Sequence, residues 1–169
     1  MPTHDKPLAC QHHNHNHCIE DALQVARDIC STKGVRLTQL REQVLGLIWQ
    51  SHKPLGAYTL MDMLSQASTR RVAPPTVYRA LEFLLDQHLI HRINSLNAYI
   101  GCPDPKTRHQ SHFLICRGCG IASECETTSL SDQITTAGQA AGFEVETQSL
   151  EIVGLCPNCH GTPKEPATS

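Results

Sequence analysis

Four stretches of helical periodicity, a switch to strand-like alternation near Leu89, and two Cys-x-x-Cys pairs late in the chain predict an α+β fold. The expected architecture is a winged helix-turn-helix over residues 18–102 and a small α/β domain over 111–160. A polar link, 103–110, joins them, and residues 1–17 and 161–169 are expected to be disordered tails. A chain of 169 residues allows one large domain or two small ones. Aromatic residues make up only 4%, so the cores are aliphatic, and two small cores are easier to fill this way than one large one.

The elements follow in order. Residues 1–17 lack periodicity and hold two of the ten prolines. From Cys18, Ile19, Leu23, Ala26 and Cys30 recur at helical spacing. Glu20 and Asp21 are expected in the first turn, where carboxylates suit the helix dipole, and Gly34 is a stop. A second helix fits TQLREQVLGLIWQSH, capped by Thr38 and buried through Leu40, Val44, Leu47 and Ile48. A third fits AYTLMDMLSQAS. A fourth fits PPTVYRALEFLLDQH, with Pro75 in its first turn and Val77, Leu81, Leu84 and Leu85 inward. Thr76, Tyr78, Arg79 and Glu82 fall on its other faces. LIHRINSL and NAYIGC then read as a hairpin around a polar turn near Ser95–Asn97. In such a fold the fourth helix enters the major groove and the hairpin flanks it. Beyond the link, SHFLIC and IASECE are strands, LSDQITTAGQAAG is a helix closed by Gly142, and FEVETQSLEIVGLC is a long strand. One helix on three strands leaves a face and edges uncovered, so a second copy of the chain is the expected cover.

No apolar run reaches the length of a membrane span, and the polar start MPTHDKPLAC does not read as a signal peptide. A cytoplasmic protein is expected. Nine cysteines cannot all pair, and clustered cysteines in a reducing compartment are more often metal ligands than bridges. The net charge of −2 shows no general affinity for nucleic acid. It hides an asymmetry: Lys33, Arg36, Arg41, Lys53, Arg70, Arg71 and Arg79 face only Glu42 and Asp62 in the same span. From Arg92 onward, five basic residues face eight acidic ones. A local basic face is what phosphate contact needs.

The sharpest chemical signal is CRGC at Cys116–Cys119 with CPNC at Cys156–Cys159. Two zinc knuckles would supply four thiolates to a closed tetrahedral site. The spacer of about 36 residues fits if a helix and a strand loop out and return. Redox pairs or buried free thiols are the bland alternative. A second set, His91, Cys102, His109 and Glu124, is less obvious, since each residue alone has an ordinary structural reading. Strand pairing could bring His91 and Cys102 together, while His109 lies in the link and Glu124 beyond it. A metal held by all four would fix the angle between the domains, and the thiolate disfavours magnesium and manganese.

RLTQLREQVL, AYTLMDML, PPTVYRALEFLL, NAYIGC, CRGC and CPNC together resemble the ferric uptake regulator family, most of all its zinc-sensing branch. The resemblance runs from about Cys18 to Cys159. It implies a dimeric, zinc-dependent transcriptional repressor, not an enzyme, that binds palindromic operators of zinc-uptake genes when zinc is replete. It implies two zinc ions per subunit: structural at Cys116, Cys119, Cys156 and Cys159, and sensing at His91, Cys102, His109 and Glu124. It assigns DNA contacts to Tyr58, Thr76, Tyr78 and Arg79, with Arg36 and Arg41 flanking the second helix. The implied partners are duplex DNA and a second copy, with no membrane and no small-molecule substrate. Gln39 departs from a frequent family proline, and SLEIVGLC lacks the histidine of a further metal site found in some members. His112 is an optional neighbour of the metal site, and otherwise structural or solvent-facing.

CQHHNHNHC, from Cys10 to Cys18, lies outside that family core. It reads as a solvated tail with adventitious metal affinity, or as a segment that stores or hands on metal, because ordering entropy weakens binding in a flexible segment. Three rival functions remain: a family member sensing iron, manganese, nickel or peroxide; a zinc store or chaperone; and a zinc hydrolase. The last lacks a general-base constellation, a nucleophile motif and a Gly-rich phosphate loop.

Overall fold

The computed structural model describes residues 15–67, 72–107, 111–125 and 128–160. The chain divides into two compact units, Met1–His109 and Gln110–Ser169. Of the tails expected at 1–17 and 161–169, residues 1–14 and 161–169 lie outside the described residues, as do Arg70, Arg71, His109 and part of the link.

In the first unit, α1 (His15–Thr32) begins before the expected Cys18, so residues 15–17 are helical rather than tail. Glu20 and Asp21 therefore sit in the second turn, and the first turn holds no acidic residue. The expected stripe is buried in its second half, at Ala26 and Cys30, while Ile19 and Leu23 are half-buried. Gly34 adopts a positive φ of 65°, and the Val35 N–H reaches back to the Cys30 carbonyl at 2.9 Å, ending the helix as a left-handed cap does. Then α2 (Gln39–Trp49) buries Val44, Leu45 and Ile48, with Leu40 and Leu47 half-buried beside them. Thr38 has the extended backbone of an N-cap, but its hydroxyl makes no capping bond.

A two-residue strand absent from the sequence reading, β1 (Leu55–Gly56), leads straight into α3 (Ala57–Ala67). Then α4 (Pro74–Asp86) opens on two prolines, whose missing N–H groups cost nothing in a first turn. It buries Val77, Ala80, Leu81 and Leu84, while Leu85 is only half-buried. His88, at φ 59°, turns the chain, and the Leu89 N–H bonds the Leu84 carbonyl at 2.9 Å. The hairpin follows as β2 (Ile90–Ile93) and β3 (Ala98–Gly101), and the first sheet runs in the order β1-β3-β2, all antiparallel. Asn97, at φ 47°, makes the turn, and its side-chain oxygen accepts from the Arg92 guanidinium at 2.8 Å. The core of this unit is mostly aliphatic, from Ala26 on α1 to Leu89 and Ile90, with Tyr99 buried in it and Trp49 and Phe83 packed against it. Each such Leu, Ile or Val contributes about 1.5–3 kcal/mol by leaving water.

The second unit is thinner. Its sheet has the order β5-β4-β6, built from β4 (His112–Cys116), β5 (Ala122–Cys125) and β6 (Leu150–Gly154). The β4–β5 pair is antiparallel and the β4–β6 pair is parallel. A parallel return needs a crossover. Here α5 (Thr128–Ala140), between β5 and β6, supplies it, and Gly142 follows at φ 81°. The long strand expected from Phe143 is confined to Leu150–Gly154. Before it the chain runs along α5 instead: Gln148 Nε2 donates to the Ser131 carbonyl at 3.1 Å and to the Thr135 hydroxyl at 2.6 Å. Val145 also packs so closely over Gly138 that a methyl there would lie 2.5 Å from it. These side-chain contacts take the place of a strand ladder.

Candidate metal centres and nucleic-acid face

All four cysteines of the two Cys-x-x-Cys pairs converge in the second unit. Cys116 ends β4, and the parallel register sets it beside Gly154, two residues before Cys156. Both strands end at the same edge, which is why a spacer carrying β5 and α5 still closes the site. The sulfurs lie within 4.8 Å of one another, with Cys119 and Cys156 3.7 Å apart. A tetrahedron with Zn–S of about 2.3 Å sets its sulfurs about 3.8 Å apart. The donor set therefore fits zinc.

Gly118 lets the first knuckle fold this tightly, because a side chain there would begin 3.0 Å from the Cys159 sulfur. The Cys156 N–H donates to the Cys116 sulfur at 3.2 Å. This N–H, with those of Cys119 and Gly118, pulls the Cys116 thiol down to about 6. Cys159 is pushed up to about 12 by its contact with Cys156, then by burial and the other sulfurs. One thiolate is welcome in the cluster and further ones repel it, a conflict that a divalent cation removes.

In the first unit, His91 pairs with Ile100 across the hairpin. Cys102 lies two residues beyond Ile100, on the same face and diagonal to His91. Its N–H continues the ladder to the Leu89 carbonyl at 3.0 Å. The donor atoms of His91 and Cys102 lie within 4.8 Å of each other, and Cys102 is buried. A neutral imidazole and a thiolate at that distance suit zinc. Glu124 belongs to the second unit, on β5 opposite Phe113, with both carboxylate oxygens shielded from solvent. His109 lies outside the described residues. His112 is fully buried on β4, which excludes the solvent-facing alternative.

The expected nucleic-acid residues divide by what they touch. Tyr58, at the start of α3, is 77% exposed, so packing cannot account for it. Tyr78 is 40% exposed, and Thr76, Arg79 and Arg36 are exposed. Arg41 is engaged within the fold. Its guanidinium lies 3.6 Å from the centre of the Phe83 ring and donates to the Arg36 carbonyl. It therefore ties α2 to α4, a non-local role that no local pattern announces. Arg27 and Glu42 form a two-pronged ion pair at 2.8 and 3.3 Å, joining α1 to α2, also unforeseen.

A model of the ferric uptake regulator family matches residues 32–153, ending just before Cys156. The zinc uptake regulation protein of Escherichia coli (strain K12) is 37% identical over 142 residues, covering 83% of this chain and 82% of that protein. A solved zinc uptake regulator complexed with zinc and DNA is 36% identical, with a TM-score of 0.79 over 83% of this chain and 94% of that one. Holo XcZur is 39% identical, with a TM-score of 0.75 over 82% of this chain and 96% of that one.

Proposed function

This chain belongs to the ferric uptake regulator family, and we propose that it is a zinc-responsive, DNA-binding transcriptional regulator, mainly a repressor. Zinc-loaded, it binds palindromic operators of zinc-uptake genes; without zinc it lets them go. The observation that carries this reading is the His91–Cys102 donor pair at the open end of the hairpin, in the same unit as the exposed face of α4. A soft thiolate beside an imidazole favours zinc over manganese, and over the nitrogen and oxygen sites that suit ferrous iron. The relatives named for zinc uptake, one of them solved on DNA, support the same choice.

In this proposal His91, Cys102, His109 and Glu124 hold the sensing zinc. Cys116, Cys119, Cys156 and Cys159 hold a structural one, so each subunit binds two. Zinc supplies a point of attachment for ligands from both sides of the link at 103–110. That restricts the winged helix to the orientations that fit two half-sites one helical turn apart. Linkage requires DNA to tighten zinc by the same factor as zinc tightens DNA, typically through roughly 1–3 kcal/mol of coupling. Arg79 is the guanine contact, by its fork to O6 and N7. Tyr58, Thr76, Tyr78, Arg36 and Arg41 position the chain on the duplex. The second unit pairs with a second copy: Phe143 is 72% exposed, Val153 60% and Ile152 42%, large apolar side chains that a lone subunit leaves in water. The protein works in the cytoplasm as a regulator and not as an enzyme; among the described residues no helix is long and apolar enough to cross a membrane.

The test is fluorescence anisotropy of a labelled duplex, selected from a random library with the zinc-loaded protein. Free zinc is titrated against iron, manganese and nickel at fixed salt. Affinity should rise steeply with zinc, and Cys102→Ser should abolish the rise. Tight binding at any zinc level would assign control to another metal or signal. No specific binding under any metal would favour zinc storage.

A further inference from the structure

Trp49, the only tryptophan of the chain, ends α2 and lies flat against Gly101, the last residue of β3. A methyl at Gly101 would sit 2.3 Å from Cε2, 2.5 Å from Nε1 and 2.8 Å from Cζ2 of the indole. Gly101 is not among the positive-φ glycines, so its backbone would accept any residue. Glycine is required there by the ring alone. The next residue is Cys102. Its N–H is bonded to Leu89, whose own N–H is bonded to Leu84 near the end of α4. The strand end that carries a metal donor is thus clamped twice, by the indole to α2 and by hydrogen bonds to α4. The two helices are tied in turn by Arg41 on Phe83.

We propose that Trp49 is a positioning residue of the zinc response: its indole, wedged on Gly101, transmits metal occupancy at His91 and Cys102 to α2 and so to α4. This rests on the reading of His91 and Cys102 as zinc ligands. A ligand strand that closes on zinc shifts Gly101, and the indole lies too near Gly101 for that shift to leave the ring unmoved. A close-packed contact passes on a displacement of a few tenths of an ångström where a loose one does not. Physical coupling of this kind is established by perturbing the contact, not by its position on a path.

The sole tryptophan makes the contact visible. Trp49 emission in the full chain is recorded while free zinc is titrated, beside operator anisotropy under the same conditions. Emission should change saturably, at the same zinc concentration as DNA affinity, and the change should be absent in Cys102→Ser. Gly101→Ala should keep zinc bound, measured by chelator competition, yet lose most of the roughly 5–150-fold gain in DNA affinity expected of such coupling. Adding Trp49→Leu to Gly101→Ala makes room for the methyl and should restore part of that gain. A merely structural contact would lower the melting temperature without this rescue of zinc dependence. Emission indifferent to zinc while DNA binding responds to it overturns the inference, as does full coupling in Gly101→Ala. DNA binding of the unaltered chain that ignores zinc overturns instead the reading beneath it.

Discussion

The two units solve the problem of stability in opposite ways. The first gathers one aliphatic core from α1, α2, α3, α4 and the hairpin, with Val44, Leu60, Val77 and Leu84 at 0% exposure. The second buries few residues, among them Phe113, Ile115 and Ala122, and α5 contributes none. Its four cysteines gather where β4 and β6 end, and several of its large apolar side chains, Phe143 and Val153 among them, face water. Burial alone can hold the first unit. On the proposed reading the second needs both a metal and a second copy. On that reading the DNA-reading part stays folded whatever the metal supply, and only the second part is conditional on it.

The largest effect should come from removing the metal that fits the four cysteines. Structural zinc in zinc-finger peptides supplies about 10–16 kcal/mol of folding free energy. Strong chelation, or Cys119→Ser, should therefore unfold the second unit and leave the first intact. Hydrogen exchange followed by mass spectrometry should show protection lost over 111–160 and kept over 39–101. Uniform loss in both units would mean that they do not differ in this way. Acid should act on the same site with a definite sign. With the Cys116 thiol already down at about 6, zinc need not displace its proton above that pH. Below it one more proton competes, so zinc affinity should fall more steeply with pH under about 6 than above. Cys159, up at about 12, gives its proton to zinc throughout the ordinary range.

The next effect belongs to the first unit. Leu84, on α4, has no exposure. Leu84→Ala should cost about 2–5 kcal/mol in urea unfolding, the range for a buried leucine that leaves a cavity. Chelator should leave that loss unchanged. A loss that depends on zinc would mean that the two units do not fold independently.

Much of this contrast was legible in the sequence, because it lives in short-range patterns. Helical spacing announced α2, α3 and α4, and the paired Cys-x-x-Cys motifs announced the sulfur cluster. What escaped depends on contacts distant in the chain. Two residues are too few to give β1 a period, and only pairing with Ala98 and Tyr99 makes it a strand. FEVETQSLEIV alternates as a strand does, but Gln148 and Val145 find partners on α5. The histidines and asparagines ahead of Cys18 carry no apolar stripe, so the true start of α1 was hidden. The His91–Cys102 pair was legible as a possibility, and the register made it a geometry. Arg41 on Phe83 was hidden because its two halves lie on different helices.

That last contact sets the smallest effect and decides between two roles for one side chain. A cation over an aromatic face is worth about 0.5–1 kcal/mol where exposed and about 2 when desolvated. Arg41 is half-buried, so Arg41→Ala should lower stability by about 1 kcal/mol in urea unfolding. Arg41→Lys should recover little of it, since an ammonium cannot stack as the planar guanidinium does. The guanidinium has five donors and spends one on the Arg36 carbonyl, which leaves others for a phosphate. If it also contacts DNA, as proposed, Arg41→Ala should reduce the slope of log affinity against log salt by about 1. A stability loss with an unchanged slope would take Arg41 off the DNA face and leave it as the brace between α2 and α4.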